Sequence, residues 1–173
     1  MISLSVLFWM YLLLFGVIGA LRGWAKEILV LFSLFLALFL DAILMKYVPG
    51  VQLALISQTA LTQFSVRAGF VFLLAFFGYS TPVVATLFAD KARRERLEDM
   101  LLGLFLGVIN GYLLIGTIWH YLHVTGYPVA GIFPPGSDSV MNMLEYMPPE
   151  LVGPPYIYFG LGIAFIFIVV VFI

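Results

Sequence analysis

Residues 100–122 read MLLGLFLGVINGYLLIGTIWHYL. The stretch holds no Lys, Arg, Asp or Glu, and about 20 largely apolar residues suffice for an α-helix to cross the hydrocarbon core of a bilayer. Within it Gly103, Gly107 and Gly111 keep a strict four-residue step, and Asn110 lies in the same arc. Lipid tails are as apolar as leucine, so helices in a membrane associate through close backbone approach and polar contacts. Glycine permits the approach and Asn110 offers a hydrogen bond across it. The reading is a helix immersed in lipid with one face shaped for a neighbour.

Outward from this segment, four more stretches have the same character: Leu4–Leu21, Ile28–Met45, Ala68–Phe88 and Tyr156–Ile173. The fold class expected is all-α, a polytopic membrane helix bundle with five transmembrane helices. Composition agrees, since 64% of the 173 residues are hydrophobic and 10% are charged, against about 45–50% and about 25% in soluble domains. The first stretch lacks a basic start and a second span follows closely, so it reads as a mature helix and not as a signal peptide. A formal charge of −1 argues against nucleic acid as a partner, because phosphate binding needs a basic field. The absence of cysteine excludes disulfides, thiolate metal sites and cysteine nucleophiles.

Positive charge sets the expected orientation. Arg22 and Lys26 lie in the first connection, and Lys91, Arg93, Arg94 and Arg96 in the third, Ala89–Glu98. With alternating spans these six of the eight basic residues share one side, leaving Lys46 and Arg67 on the other. The N-terminus is therefore expected outside and the C-terminus in the cytoplasm. The basic corner can also meet anionic headgroups.

Three units follow: a four-helix membrane domain at 1–123, an extracytoplasmic Pro/Gly-rich loop at 124–155 and a C-terminal transmembrane helix at 156–173. In the second connection, Leu53, Ile56, Ala60 and Phe64 recur at roughly helical spacing, which suggests an interfacial helix over Val51–Phe64, although Gln52, Thr59 and Gln63 interrupt the stripe. The long loop carries Pro134-Pro135, Pro148-Pro149 and Pro154-Pro155, which predicts extended polyproline-like backbone and turns. Pro82 removes a backbone bond to Gly78 and should kink the third span.

The first span has a small-residue face of its own, made by Gly16, Gly19, Ala20 and Gly23. Two readings suit these faces: helix packing, or a pore lined by them. The segment from Gly16 to Glu27, GVIGALRGWAKE, resembles the small-residue, Arg-Gly-aromatic-x-(Lys/Arg)-Glu corner of the CvpA (colicin V production protein) family. The segment from Leu97 to Gly111, LEDMLLGLFLGVING, is similar to that family's second signature, an Asp shortly before a Gly-x-x-x-Gly-x-x-x-Gly helix. The resemblance covers about residues 1–123. It implies a multi-pass protein of the bacterial cytoplasmic (inner) membrane, linked to toxin production or export and to envelope homeostasis. Two features depart from the family pattern. Ser3 and Ser5 stand where relatives often have an Asp in the first helix, and the proline-rich loop and fifth helix extend beyond the four-helix unit.

Ionisable groups within a membrane are costly and invite a functional reading. Asp41 lies about 20 Å along the second span, and Arg67 opens the third from the same side, so an Asp41–Arg67 pair is expected, either as structural neutralisation or as an ion site. Arg22 and Asp99 belong to the two family-like segments and meet if the glycine faces pack, giving a bidentate pair. Glu27 and Glu98 are substitutes within that charged corner. His120 and His123 have a permissible metal spacing but no completing ligands, so no metal and no cofactor are expected. Trp119, Tyr121, Tyr127, Tyr156 and Tyr158 read as interfacial anchors. Gly78-Tyr79-Ser80-Thr81-Pro82 approaches a nucleophile elbow without its final glycine, and Ser80 and His120 differ in depth, so no enzyme activity is expected.

The functional expectation is a non-enzymatic membrane scaffold. Its partners would be the lipid bilayer together with other membrane proteins or further copies of itself. The alternatives are a small oligomeric channel or transporter conducting near Asn110 and Asp41, and an accessory subunit that docks through the proline-rich loop.

Overall fold

A computed structural model describes residues 3–80, 96–136 and 138–172. Among these residues all regular structure is helical: α1 (Leu4–Arg22), α2 (Trp24–Tyr47), α3 (Pro49–Ile56), α4 (Ala60–Tyr79), α5 (Arg96–Val124), α6 (Asp138–Asn142), a 3-10 turn at Met143–Tyr146, α7 (Pro148–Leu151) and α8 (Tyr156–Phe172). Four helices are long and apolar enough to cross a membrane, namely α1, α2, α4 and Leu97–Val124 of α5, with mean hydropathies of 2.3, 2.7, 1.6 and 2.0. Much of their apolar surface faces outward, as lipid allows and water does not: Leu13 is 72% exposed and Leu21 82%. With 17 residues, α8 is shorter than these four and reaches about 25 Å.

Each boundary has a local cause. Gly23 ends α1 at φ +84°, a backbone region open to glycine, and donates its N–H to Gly19 O at 2.9 Å. The chain turns there directly into α2. The α3–α4 junction corrects the single helix expected over Val51–Phe64. Thr59 Oγ1 accepts the Thr62 N–H, capping α4 at Ala60. Gln63 donates to Gln58 O and Ile56 O, tying the turn from behind. Polar residues that interrupt the apolar stripe thus build a break in the helix. As a result the third span starts at Ala60 and not at Ala68, and Arg67 sits about 10 Å inside it. The end of that expected span, the Pro82 kink, the Thr81-Pro82 part of the elbow-like motif, and Lys91, Arg93 and Arg94 of the basic corner lie outside the described residues. At its far end α5 closes with Tyr127 N–H to Leu122 O and Gly126 N–H to His123 O, with Gly126 at φ +76°, a Schellman arrangement.

The bundle is organised around α5. Helix α1 packs along one side of it in the most extensive helix pair, and α2 and α4 pack together on another. The main core lies between α2, α4 and α5, where Val30, Leu34, Ala37, Val71, Ala75, Leu113 and Leu114 are buried. Helix α8 rests on α2, with Ile157 buried and Gly160 against the Phe35 ring.

The long loop departs from the extended form expected of it. Pro148 and Pro149 open the helical turn α7, where proline's fixed φ and missing N–H are well suited. Met147 and Pro148 press on Gly116, and Leu144 and Met147 form a buried cluster with Phe8, Leu12 and Trp119. The loop is folded onto the ends of α1 and α5.

Candidate functional site

The two glycine faces meet. A Cβ placed on Gly19 would run into Gly103 O and come within 2.8 Å of Gly107 Cα. One placed on Gly107 would meet Phe15 O and lie 3.0 Å from Gly19 Cα. Gly16 faces Val108, and a Cβ placed on Gly111 would lie 2.8 Å from the Phe15 side chain. Gly103 abuts Gly19 O, and Gly23 lies against the Asp99 carboxylate, with a Cβ position 2.7 Å from Oδ2. Along this seam backbone touches backbone, and no space the size of a methyl group remains at Gly19, Gly103 or Gly107.

Two polar clusters are held in the seams between helices. The first lies at the Gly23 end. Glu27, in the first turn of α2, has no exposure, and Arg22 Nη1 donates to its Oε1 at 2.8 Å. Asn110, also fully buried, donates through Nδ2 to Glu27 Oε2 at 2.8 Å and to the Glu27 backbone carbonyl at 2.9 Å. The Arg22 guanidinium stacks over the Tyr79 ring at 4.3 Å, and Nη2 donates to Tyr79 O at 3.3 Å. These contacts correct the expected Arg22–Asp99 pair. The glycine seam does bring Asp99 to the corner, but its Oδ1 accepts the Trp24 N–H at 3.0 Å, so Asp99 caps α2 from another helix. Arg22 turns instead to the more deeply buried carboxylate, which has the greater need of a counter-charge. Asn110, expected to bond between the glycine faces of α1 and α5, bonds to α2.

The second cluster lies farther along α2, about 20 Å from Glu27. Arg67 Nε donates to Asp41 Oδ1 at 3.2 Å and Nη2 to Oδ2 at 2.7 Å, the fork geometry that suits a guanidinium and a carboxylate. Tyr121 Oη donates to Asp41 Oδ2 at 2.8 Å, and its ring lies 3.9 Å beneath the Arg67 guanidinium. The pair is mostly buried, with side-chain exposures of 18% for Arg67 and 13% for Asp41. Beside it is a cavity of about 200 Å³ roofed by the Pro148–Pro154 segment.

Other expected positions separate. His120 lines this cavity with Nε2 3.9 Å from Glu150 Oε1, while the His123 ring packs 5.8 Å from Tyr127. No group of three or more His, Asp or Glu side chains converges on a metal-sized position among the described residues. Trp119 and Tyr121 are buried, which corrects their reading as interfacial anchors, whereas Tyr156 is exposed. Sequence reasoning gave Glu27 a substitute's role and missed the parts that Tyr79 and Tyr121 play. The signal for Glu27 was present, since a Glu at the foot of an apolar helix beside an Arg needs a partner. Which helix supplies the second partner is a tertiary fact.

No family model, curated protein or solved structure matches the chain.

Proposed function

We propose that the protein is a non-enzymatic, multi-pass membrane scaffold whose rigid bundle presents its lipid-facing helices to other membrane proteins or to further copies of itself. The observation that carries this reading is the α1–α5 seam. Glycines that could have lined a path are instead closed on backbone, with no room for a side chain between them. The ionisable groups point the same way, because Glu27 is held by Arg22 and Asn110, and Asp41 by Arg67 and Tyr121. Satisfied buried charge favours a fixed structure over a conduit.

In this reading α8 is a fifth span. The protein lies in a bacterial cytoplasmic membrane, N-terminus outside and C-terminus inside, as the distribution of Lys and Arg favours. The resemblance of residues 16–27 and 97–111 to the CvpA family supports a role in toxin production or export and in envelope homeostasis. The test is reconstitution together with pull-down from native membranes. Proteoliposomes should hold an ion gradient as well as protein-free vesicles do, and mass spectrometry of the pull-down should recover discrete membrane-protein partners or additional copies of the chain. An ion flux abolished by Asn110→Leu or Asp41→Asn would replace the scaffold with a channel.

A further inference from the structure

We infer that the cavity beside the Asp41–Arg67 pair binds a zwitterionic headgroup of the phosphoethanolamine type, an oxyanion carrying a primary amine a few bonds away. The cavity holds about 200 Å³, the room of roughly six waters at about 30 Å³ each. Its apolar wall is Leu38, Ala42 and Met45 of α2, and its polar lining includes Arg67 and His120.

The hydrogen-bond accounts of the two charges differ. Asp41 is satisfied, with three bonds on its two oxygens. Arg67 has five N–H donors, of which Nε and Nη2 reach Asp41, so the pair with Asp41 does not use up its capacity to donate. Tyr121 covers a face of the guanidinium, leaving its edge as the donor available to a phosphate oxygen. His120 lines the cavity, and Glu150, just outside the lining residues, brings Oε1 to 3.9 Å from the His120 Nε2, too far for a hydrogen bond. The Glu150 side chain is 59% exposed, so its carboxylate is open to an ammonium group. A donor pole within and an acceptor pole just beyond His120 match a zwitterion better than an anion, which Asp41 and Glu150 oppose, or a plain cation, which Arg67 opposes.

Depth favours a lipid as the source. Asp41, Arg67 and Tyr121 each lie within about 10 Å of an end of their helices, α2, α4 and α5. Arg67, about 10 Å inside a helix about 30 Å long, therefore sits in the outer third of the hydrocarbon layer, where its charge can draw a headgroup inward from the interface.

The experiment offers delipidated protein vesicles of phosphatidylethanolamine, phosphatidylcholine or phosphatidylglycerol and counts retained lipid by native mass spectrometry. Phosphatidylethanolamine should be retained about tenfold over both others, as expected for a charge-assisted hydrogen bond that trimethylation or loss of the amine removes. Ala42→Phe fills the cavity from its apolar wall and should abolish that preference without lowering the melting temperature. Glu150→Gln, an exposed change just outside the cavity lining, should reduce the preference over phosphatidylcholine even if the Ala42 variant fails to fold. Soluble phosphoethanolamine distinguishes the sources: displacement of the lipid adds a free zwitterion as ligand, and no displacement assigns the site to the bilayer lipid. Equal retention of all three lipids, or an unchanged preference in Glu150→Gln, would overturn the proposal.

Discussion

A carboxylate shielded from solvent persists in an apolar bundle only when its oxygens are met by donors. At Glu27 both are met, one by Arg22 and the other by Asn110, and Asn110 also binds the backbone carbonyl of the same residue. The arrangement is unevenly balanced, because Asn110 Oδ1 and Tyr79 Oη are buried without a hydrogen-bond partner in the same region. Asn110 thus matters more as a donor than as an acceptor. Asn110→Leu, which removes both bonds to Glu27, should lower stability by about 1.5–3 kcal/mol, the range for a hydrogen bond to a charged group. Chemical denaturation in detergent micelles measures it. Asn110→Gln, a longer amide, should recover part of the loss, whereas equal loss in both variants would mean that volume and not the bond matters.

Between elements, the contact that most constrains the sequence is the crossing of α1 over α5. Gly19, Gly103 and Gly107 meet main-chain atoms and not the ends of flexible side chains, so relief would require moving a whole helix. Gly107→Leu should therefore cost stability at or beyond the upper end of the ~1–3 kcal/mol usual for overpacking. Leu106→Ala, one position away and half-buried, should cost less. Gly69→Leu on α4, where nothing lies within 4 Å, should be neutral or slightly stabilising, since glycine is a poor helix former by about 0.8–1.0 kcal/mol. Thermal unfolding of the three variants side by side gives the ranking. Equal tolerance of all three would mean that the glycine step has no part in packing.

For the molecule as a whole, legibility in the sequence followed the physics of each feature. Four of the five long apolar stretches and the four-residue glycine step were readable because membrane thickness and close backbone approach act on a single helix. The Asp41–Arg67 pair was readable because both charges fall toward the same side of the bundle, whereas their matching depth was not, since it depends on α4 starting at Ala60. The Arg22–Glu27–Asn110 cluster was not, since it depends on α2 lying beside α5, which no local pattern encodes. The folded loop was missed for a related reason: Met147 and Leu144 become core residues only because Phe8, Leu12 and Trp119 leave a surface to cover. The bundle as described rests on α1 and α5 being locked together, and disulfide trapping tests that most directly in a chain that has no cysteine of its own. The Gly16 Cβ position lies 2.8 Å from Val108 Cγ2, which brings a Gly16→Cys, Val108→Cys pair to about the 3.5–4.5 Å Cβ separation of a disulfide. Mild oxidation in native membranes should cross-link this pair far faster than Gly16→Cys with Phe105→Cys, since the Phe105 side chain faces outward on α5. Equal rates for the two pairs, or no cross-link in either, would contradict the α1–α5 seam.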